Sequence, residues 1–80
     1  MHEVSLMSEV ISVVSTIAKE RNLQHIHKVK VVVGEHTSVM IDSLQFAFTL
    51  LKKAPLSDTA VLEIERATRD EFYIDYIEGE

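Results

Sequence analysis

The sequence has 80 residues, of which 46% are hydrophobic and 26% charged, and its formal net charge is −5. These values are typical of one small globular domain and exclude a disordered or low-complexity chain. The eight basic residues form no positive stripe, which argues against nucleic-acid binding, and with no cysteine a disulfide framework, a thiolate zinc site and a cysteine nucleophile are all excluded.

A first helix is predicted from Ser5 to about Arg21. Its β-branched residues would suit a strand, but strict alternation fails at Val10 and Ile11, so the helical spacing outweighs the propensity. Asn22 then suits a left-handed helix cap. Apolar residues recur at three- and four-residue spacing, which places them on one helix face: Leu6, Met7, Val10, Ile11, Val14, Ile17 and Ala18.

The same segment resembles an export signal only in its hydrophobicity. Acidic residues stand at Glu3 and Glu9, and the first basic residue is Lys19, which is not the charge pattern of a signal sequence. No stretch approaches the ~18 consecutive apolar residues that a membrane span requires. We therefore expect a soluble, cytoplasmic protein that does not contact a membrane.

A strand and a second helix are predicted next. Residues Ile26–Gly34 place three valines on one side and two lysines on the other, the pattern of a half-buried strand. After a loop, Asp42 with Gln45 three residues later resembles a capping box. It predicts a second helix from Ser43 to about Ala54, which Pro55 ends.

Two further strands complete the predicted fold. A polar turn at Ser57–Thr59 precedes the alternating segment Ala60–Ala67, and Glu71–Glu80 alternates in the same way. Thr68–Asp70 is short enough to join the two strands as an antiparallel hairpin. The order helix, strand, helix, strand, strand predicts an α+β domain, with two helices on one face of a three-stranded mixed sheet.

The first three residues, Met1, His2 and Glu3, bring several nitrogen donors together. Nickel(II) favours square-planar nitrogen ligands, which the Met1 amine, the deprotonated amides of His2 and Glu3, and the His2 imidazole can supply. The terminus is therefore a candidate metal site. The alternative is that His2 is an ordinary exposed residue and that Glu3 only complements the helix dipole.

The remaining histidines are weaker candidates. His25 and His27 are two residues apart, and if both belong to the strand their rings share a face and could chelate a metal together. His36 follows in a loop, where it could lend an accessory ligand. Solvated surface residues are the plain alternative for all three. Enzyme motifs are missing, including a glycine-rich phosphate loop, a nucleophile elbow and HExxH, so we expect no enzyme.

Five segments follow one another in a recognisable order: MHEVSLMSEV, KVKVVVGEHTSV, DSLQFAFTLL, AVLEIERA and FYIDYIEGE. Together they resemble the HypA/HybF family of nickel-insertion accessory proteins for NiFe hydrogenase and urease. The resemblance implies a nickel metallochaperone domain whose Ni(II) site maps onto Met1, His2 and Glu3. It also implies a HypB-type GTPase as partner, and a hydrogenase large-subunit precursor or urease maturation proteins as further partners.

The sequence departs from that family in one place. Members carry a zinc domain with two Cys-x-x-Cys pairs before the closing strand, where this chain has only Thr68–Asp70. We therefore expect residues 1–80 to form a single nickel-binding-type domain without zinc, either a natural short form or a deliberately shortened one. Two alternatives stay open: a metal-free interaction or scaffold module of the same fold, and a homodimer formed through an exposed strand edge or apolar patch.

Overall fold

The computed structural model describes residues 2–80, so Met1 lies outside the described residues. The predicted element order and the α+β class are confirmed, with two helices and a three-stranded mixed sheet. A short 3-10 helix at Glu35–Thr37 follows the first strand. The main elements are α1 (Glu3–Glu20), β1 (Ile26–Gly34), α2 (Ile41–Leu51), β2 (Leu56–Ala67) and β3 (Phe72–Gly79).

Helix α1 begins two residues earlier than predicted and ends as predicted. His2 is its N-cap in an extended conformation, and the His2 carbonyl accepts the first helical hydrogen bond from Leu6 N–H at 3.1 Å. At the other end Asn22 adopts a left-handed φ of 56°, and Leu23 N–H donates to Ala18 O at 2.8 Å. The buried side of α1 matches the predicted stripe at Met7, Val10, Ile11, Val14 and Ala18.

Helix α2 starts and ends before its predicted bounds, and its predicted capping box is wrong. The N-cap residue is Met40, and its side chain makes no capping hydrogen bond. Gln45 instead donates from Nε2 to Leu62 O of β2 at 2.8 Å, so it fastens the helix to the sheet. The residues that α2 buries are Leu44, Ala47 and Phe48.

The predicted hairpin between the last two strands is also wrong, because β1 lies between them. The sheet order is β2-β1-β3, with β2 parallel and β3 antiparallel to β1. Helix α2 serves as the crossover that a parallel pair requires. Strand β1 is central because it is apolar on both faces: Val31 and Val33 join the core, and Val32 is buried on the opposite face.

The connection from β2 to β3 crosses the end of β1 instead of turning back on itself. Gly34 N–H donates to Glu71 O and His36 N–H to Arg69 O, both at 2.7 Å. A Cβ at Gly34 would lie 2.5 Å from Glu71 Oε1 and 2.6 Å from the Arg69 carbonyl carbon. Only glycine lets the connection pass this closely over the strand end.

Irregular pairing changes which residues face the core. In the β1–β3 ladder, Lys30 pairs with Tyr76 and Val31 with Ile74, so Asp75 is an extra, bulged residue. Strict alternation along this strand predicts that Phe72, Ile74 and Tyr76 share one face. Phe72 and Ile74 do pack against the core, but after the bulge Ile77 takes the core side and Tyr76 turns away. Strand β2 begins at Leu56, and the stretch predicted as a polar turn is an irregular part of this strand.

The two helices cover one face of the sheet, as predicted, and the other face is open. On the open face Lys30 Nζ lies 2.8 Å from Glu65 Oε1 and 3.4 Å from Asp75 Oδ2. Beside it Tyr76 donates from its hydroxyl to Glu63 Oε1 at 3.2 Å. Among the helices that residues 2–80 form, none is both long and apolar enough to cross a bilayer.

Candidate metal centre

The start of α1 leaves backbone nitrogens available for other contacts. The first N–H groups of any helix lack an acceptor within it, and those of His2 and Glu3 stand ahead of the first intrahelical donor, Leu6 N–H. His2 is exposed and its extended conformation keeps its side chain outside the helix. The predicted amine ligand, Met1, lies outside the described residues, so the geometry concerns the other two members of the predicted set.

A cavity of about 440 Å³ lies where the N-termini of the two helices meet. His2, Glu3 and Val4 from α1 form one side. The first turns of α2 form the other through Asp42, Ser43 and Phe46. Packing of α1 against α2 thus brings the predicted residues His2 and Glu3 beside a carboxylate and a hydroxyl from a distant part of the sequence.

The Glu3 side chain ties the two helix starts together. Its Oε2 accepts a hydrogen bond from the Met40 N–H, the N-cap amide of α2, at 2.9 Å. This bond, followed by one from the Glu3 backbone amide, lowers the pKa of the Glu3 carboxyl, while partial burial acts in the opposite direction. Glu3 therefore does more than complement the dipole of α1. Its carboxylate is a structural clamp, and its amide nitrogen can bind a metal only by giving up the hydrogen bond to that carboxylate.

Partial positive charges from two helix N-termini and the carboxylates of Glu3 and Asp42 meet at this cavity. Each helix N-terminus carries a partial positive charge of about half an elementary charge, and two of them converge here. Deprotonated amide nitrogens of His2 and Glu3 would be stabilised by this field. Two such nitrogens neutralise a divalent cation, so the helix ends and the bound metal are compatible.

Asp42 is the residue that sequence reasoning missed. It was interpreted as a helix cap, but it lies inside the first turn of α2 and lines the cavity beside His2. The only signal in the sequence was that Glu3 and Asp42 both stand at the start of predicted helices. Their proximity depends on how α1 packs on α2, which no local pattern specifies.

The other predicted histidines lie away from this cavity. His25 precedes β1 and His27 is inside it, yet their rings lie side by side with centroids 6.5 Å apart. His36 is exposed in the 3-10 helix. Across residues 2–80, no three His, Asp or Glu side chains converge on a common metal position.

Comparison with known proteins gives a consistent result. Residues 1–71 match the family model described as HypA, hydrogenase/urease nickel incorporation metallochaperone. The hydrogenase maturation factor HypA of Moorella thermoacetica is 40% identical over 65 residues, covering 81% of this chain and 58% of that protein. HypA of Lawsonia intracellularis is 36% identical over 66 residues, covering 82% and 56%. These names describe maturation factors, not enzymes.

The fold also has a solved counterpart. The solution structure of the Ni metallochaperone HypA from Helicobacter pylori superposes with a TM-score of 0.76 at 21% identity, covering 95% of this chain and 72% of that one. At this identity the likeness establishes the fold alone. The chain spans less than 60% of the length of the two curated relatives above.

Proposed function

Because this chain belongs to the HypA family of hydrogenase/urease nickel incorporation metallochaperones, we propose that it captures Ni(II) at its N-terminus for delivery in NiFe hydrogenase or urease maturation. The proposed ligands are the Met1 amine, the amide nitrogens of His2 and Glu3, and the His2 imidazole. Nickel is the cargo in this account, and no covalent chemistry is required of the chain.

One observation carries the proposal. His2 and Glu3 stand together at an exposed helix start, beside Asp42, with their amides ahead of the helical hydrogen-bond ladder. Square-planar nickel needs such adjacent nitrogens. The clamp from Glu3 to Met40 N–H holds Glu3 against the start of α2, which reduces the ordering that metal capture requires.

Release can be driven by protonation or by a competing partner. To bind nickel, the two amides must lose their protons and the imidazole must be neutral. The affinity for nickel therefore falls as pH falls. No acidic side chain is needed as a primary ligand. Asp42 contributes a negative charge at the cavity wall, which attracts the cation before the amides bind it.

Partner docking is proposed for the apolar surface next to the cavity. Phe46 lines the cavity and is 67% exposed, and Leu50 one turn later on α2 is 61% exposed. Large exposed apolar side chains that share a helix face commonly mark a protein interface. We assign this surface to the docking of a HypB-type GTPase. A hydrogenase precursor or urease maturation proteins would accept the nickel later. We place these steps in the cytoplasm.

The connection between β2 and β3 is the position at which we propose that this chain differs from its longer relatives. The family match ends at Glu71, immediately before β3. We propose that Thr68–Asp70 stands where those relatives carry their zinc domain, and that nickel capture persists without it because the cavity lies on α1 and α2. No thiolate zinc site is expected, because the sequence has no cysteine.

A second candidate function is favoured by the same apolar surface. The chain could act as a metal-free interaction module that uses Phe46 and Leu50 for docking while His2 is idle. The two functions differ in whether partner binding depends on nickel. A metal-free module would bind its partner equally well in the presence of a nickel chelator.

The test is a calorimetric nickel titration of protein that starts at Met1. Wild type is expected to bind one equivalent at the terminus, and His2→Ala is expected to lose that binding. His36→Ala is the matched control, because His36 is another exposed histidine that lies outside the cavity. Equal nickel binding by wild type and His2→Ala would overturn the proposal.

A further inference from the structure

We propose a second divalent-metal site, independent of the N-terminus, in which the imidazoles of His25 and His27 chelate one first-row ion and the Glu80 carboxylate orients the His27 ring. This site lies at the opposite end of β1 from Gly34, where β1 begins and β3 ends. It does not depend on the proposed nickel delivery, and it uses none of the residues that line the cavity at His2.

The backbone at this site is held in place from both strands. Gln24 N–H and His25 N–H both donate to Glu80 O, at 2.7 and 3.0 Å, and Glu80 N–H donates to His25 O at 2.9 Å. Ile26 N–H is fixed by Pro55 O at 2.9 Å. The Cα positions of the histidines and the glutamate are therefore set by the sheet, and only side-chain rotation is left free.

The second histidine lies at a bulge in the sheet. In the β1–β3 ladder Ile26 pairs with Gly79 and Lys28 with Glu78, so His27 is an extra residue on β1 opposite β3. A bulge re-aims the side chain that it carries. His27 leaves the core side that Ile26 occupies, and its ring stands next to the His25 ring with an interplanar angle of 18°.

The separation of the rings is within reach of a shared ion. A metal–nitrogen bond of about 2.1 Å places the centres of two imidazoles on one ion roughly 4.5 Å apart when they are cis and roughly 6.4 Å apart when they are trans. The observed centroid distance is 6.5 Å with the rings stacked, so binding in cis requires the two rings to approach each other by about 2 Å. Both histidines are exposed, so modest rotation of their side chains brings a ring nitrogen of each onto one ion, with water completing the coordination.

Glu80 supplies the partner that metal-binding histidines usually have. Histidine ligands generally give their second ring nitrogen to a carboxylate, which fixes the tautomer and raises ligand basicity. His27 Nε2 lies 3.3 Å from Glu80 Oε2, so Nδ1 is the nitrogen left for the metal. Glu80 is thus a positioning residue for His27. The donor set of two imidazoles suits Zn²⁺, Ni²⁺ and Cu²⁺.

The two nickel sites differ in spin state, which separates them in one experiment. Square-planar Ni²⁺ bound by deprotonated amides is diamagnetic, whereas Ni²⁺ held by two imidazoles and water is octahedral and paramagnetic. We would titrate ¹⁵N-labelled His2→Ala protein with Ni²⁺ alone. Broadening of amide signals is expected at residues 24–28 and 78–80, with signals at the start of α2 unaffected.

Three further variants decide the assignment. In the His2→Ala background, His27→Ala is expected to abolish the broadening, and His36→Ala is the control that keeps it. Glu80→Gln is expected to weaken binding by about tenfold while the broadened residues stay the same. Absence of broadening near His25 at millimolar Ni²⁺, or broadening that survives His27→Ala, would overturn this site. Failure of the N-terminal site instead shows as equal tight binding in wild type and His2→Ala.

Discussion

Truncation of Leu44 tests which face of α2 is buried in the core. The orientation of this face determines which α2 residues line the cavity beside α1. Leu44 is fully buried, whereas Leu50 on the same helix is 61% exposed. Leu→Ala removes the same atoms at both positions but leaves a cavity only at the buried Leu44. The pair therefore compares burial at constant chemistry.

The expected magnitudes differ severalfold. A fully buried Leu→Ala change costs about 3–5 kcal/mol, while the Leu50 change should stay within about 0.5 kcal/mol. An 80-residue domain has a total stability of roughly 4–12 kcal/mol. Leu44→Ala is thus expected to lower the melting temperature by at least about 12 °C, because each kcal/mol shifts it by about 4–8 °C in a domain of this size.

The assay is urea unfolding followed by circular dichroism, with calorimetry for the melting temperature. Wild type, Leu44→Ala and Leu50→Ala are compared under one buffer condition. A loss of less than about 1 kcal/mol for Leu44→Ala, or equal losses at the two positions, would refute the packing of α2 described above.

Other substitutions probe the strand crossing and the two shifted pKa values. Gly34→Ala is expected to destabilise by about 1–3 kcal/mol in urea unfolding, because the added Cβ meets the Arg69 carbonyl; an unchanged midpoint would contradict the crossing. The pKa of Glu3 is lowered, so the difference in unfolding free energy between wild type and Glu3→Gln should be constant above pH 5 and vanish as pH falls through that pKa. Glu9→Gln is the control. A difference that persists at pH 2 would count against the clamp. The pKa of Lys30 is raised, mainly by the hydrogen bond between Lys30 and Glu65. The stability that Lys30 adds relative to Lys30→Met should therefore hold up to about pH 10 and decline above it. A decline that begins near neutral pH would contradict this.

Local patterns predicted the type and order of the main elements but not all of their bounds or their arrangement. The three- and four-residue spacing around Val10 and Val14 is a property of one helix, so α1 followed from the sequence. Strand pairing, in contrast, depends on several segments of the sequence at once. A three-residue connection at Thr68–Asp70 is compatible with a hairpin, and only the buried Val32 on the second face of β1 indicates that this strand is central.

The candidate site was partly predictable for the same reason. His2 and Glu3 are adjacent in sequence, so their donors could be identified together before any fold was known. Asp42 and the Met40 amide reach them only through the packing of α1 on α2. The bulge at Asp75 likewise results from the pairing of β3 with β1, which alternation within β3 alone does not reveal.

The central claim is that the free start of the chain binds nickel through backbone nitrogens. The most direct measurement is the visible absorption of the Ni²⁺-loaded protein, compared with the same protein carrying a Gly-Ser extension before Met1. The account predicts a d–d band of square-planar, nitrogen-ligated Ni²⁺ in the protein that begins at Met1 and its loss in the extended protein. Identical spectra and equal uptake in the two proteins would contradict the account.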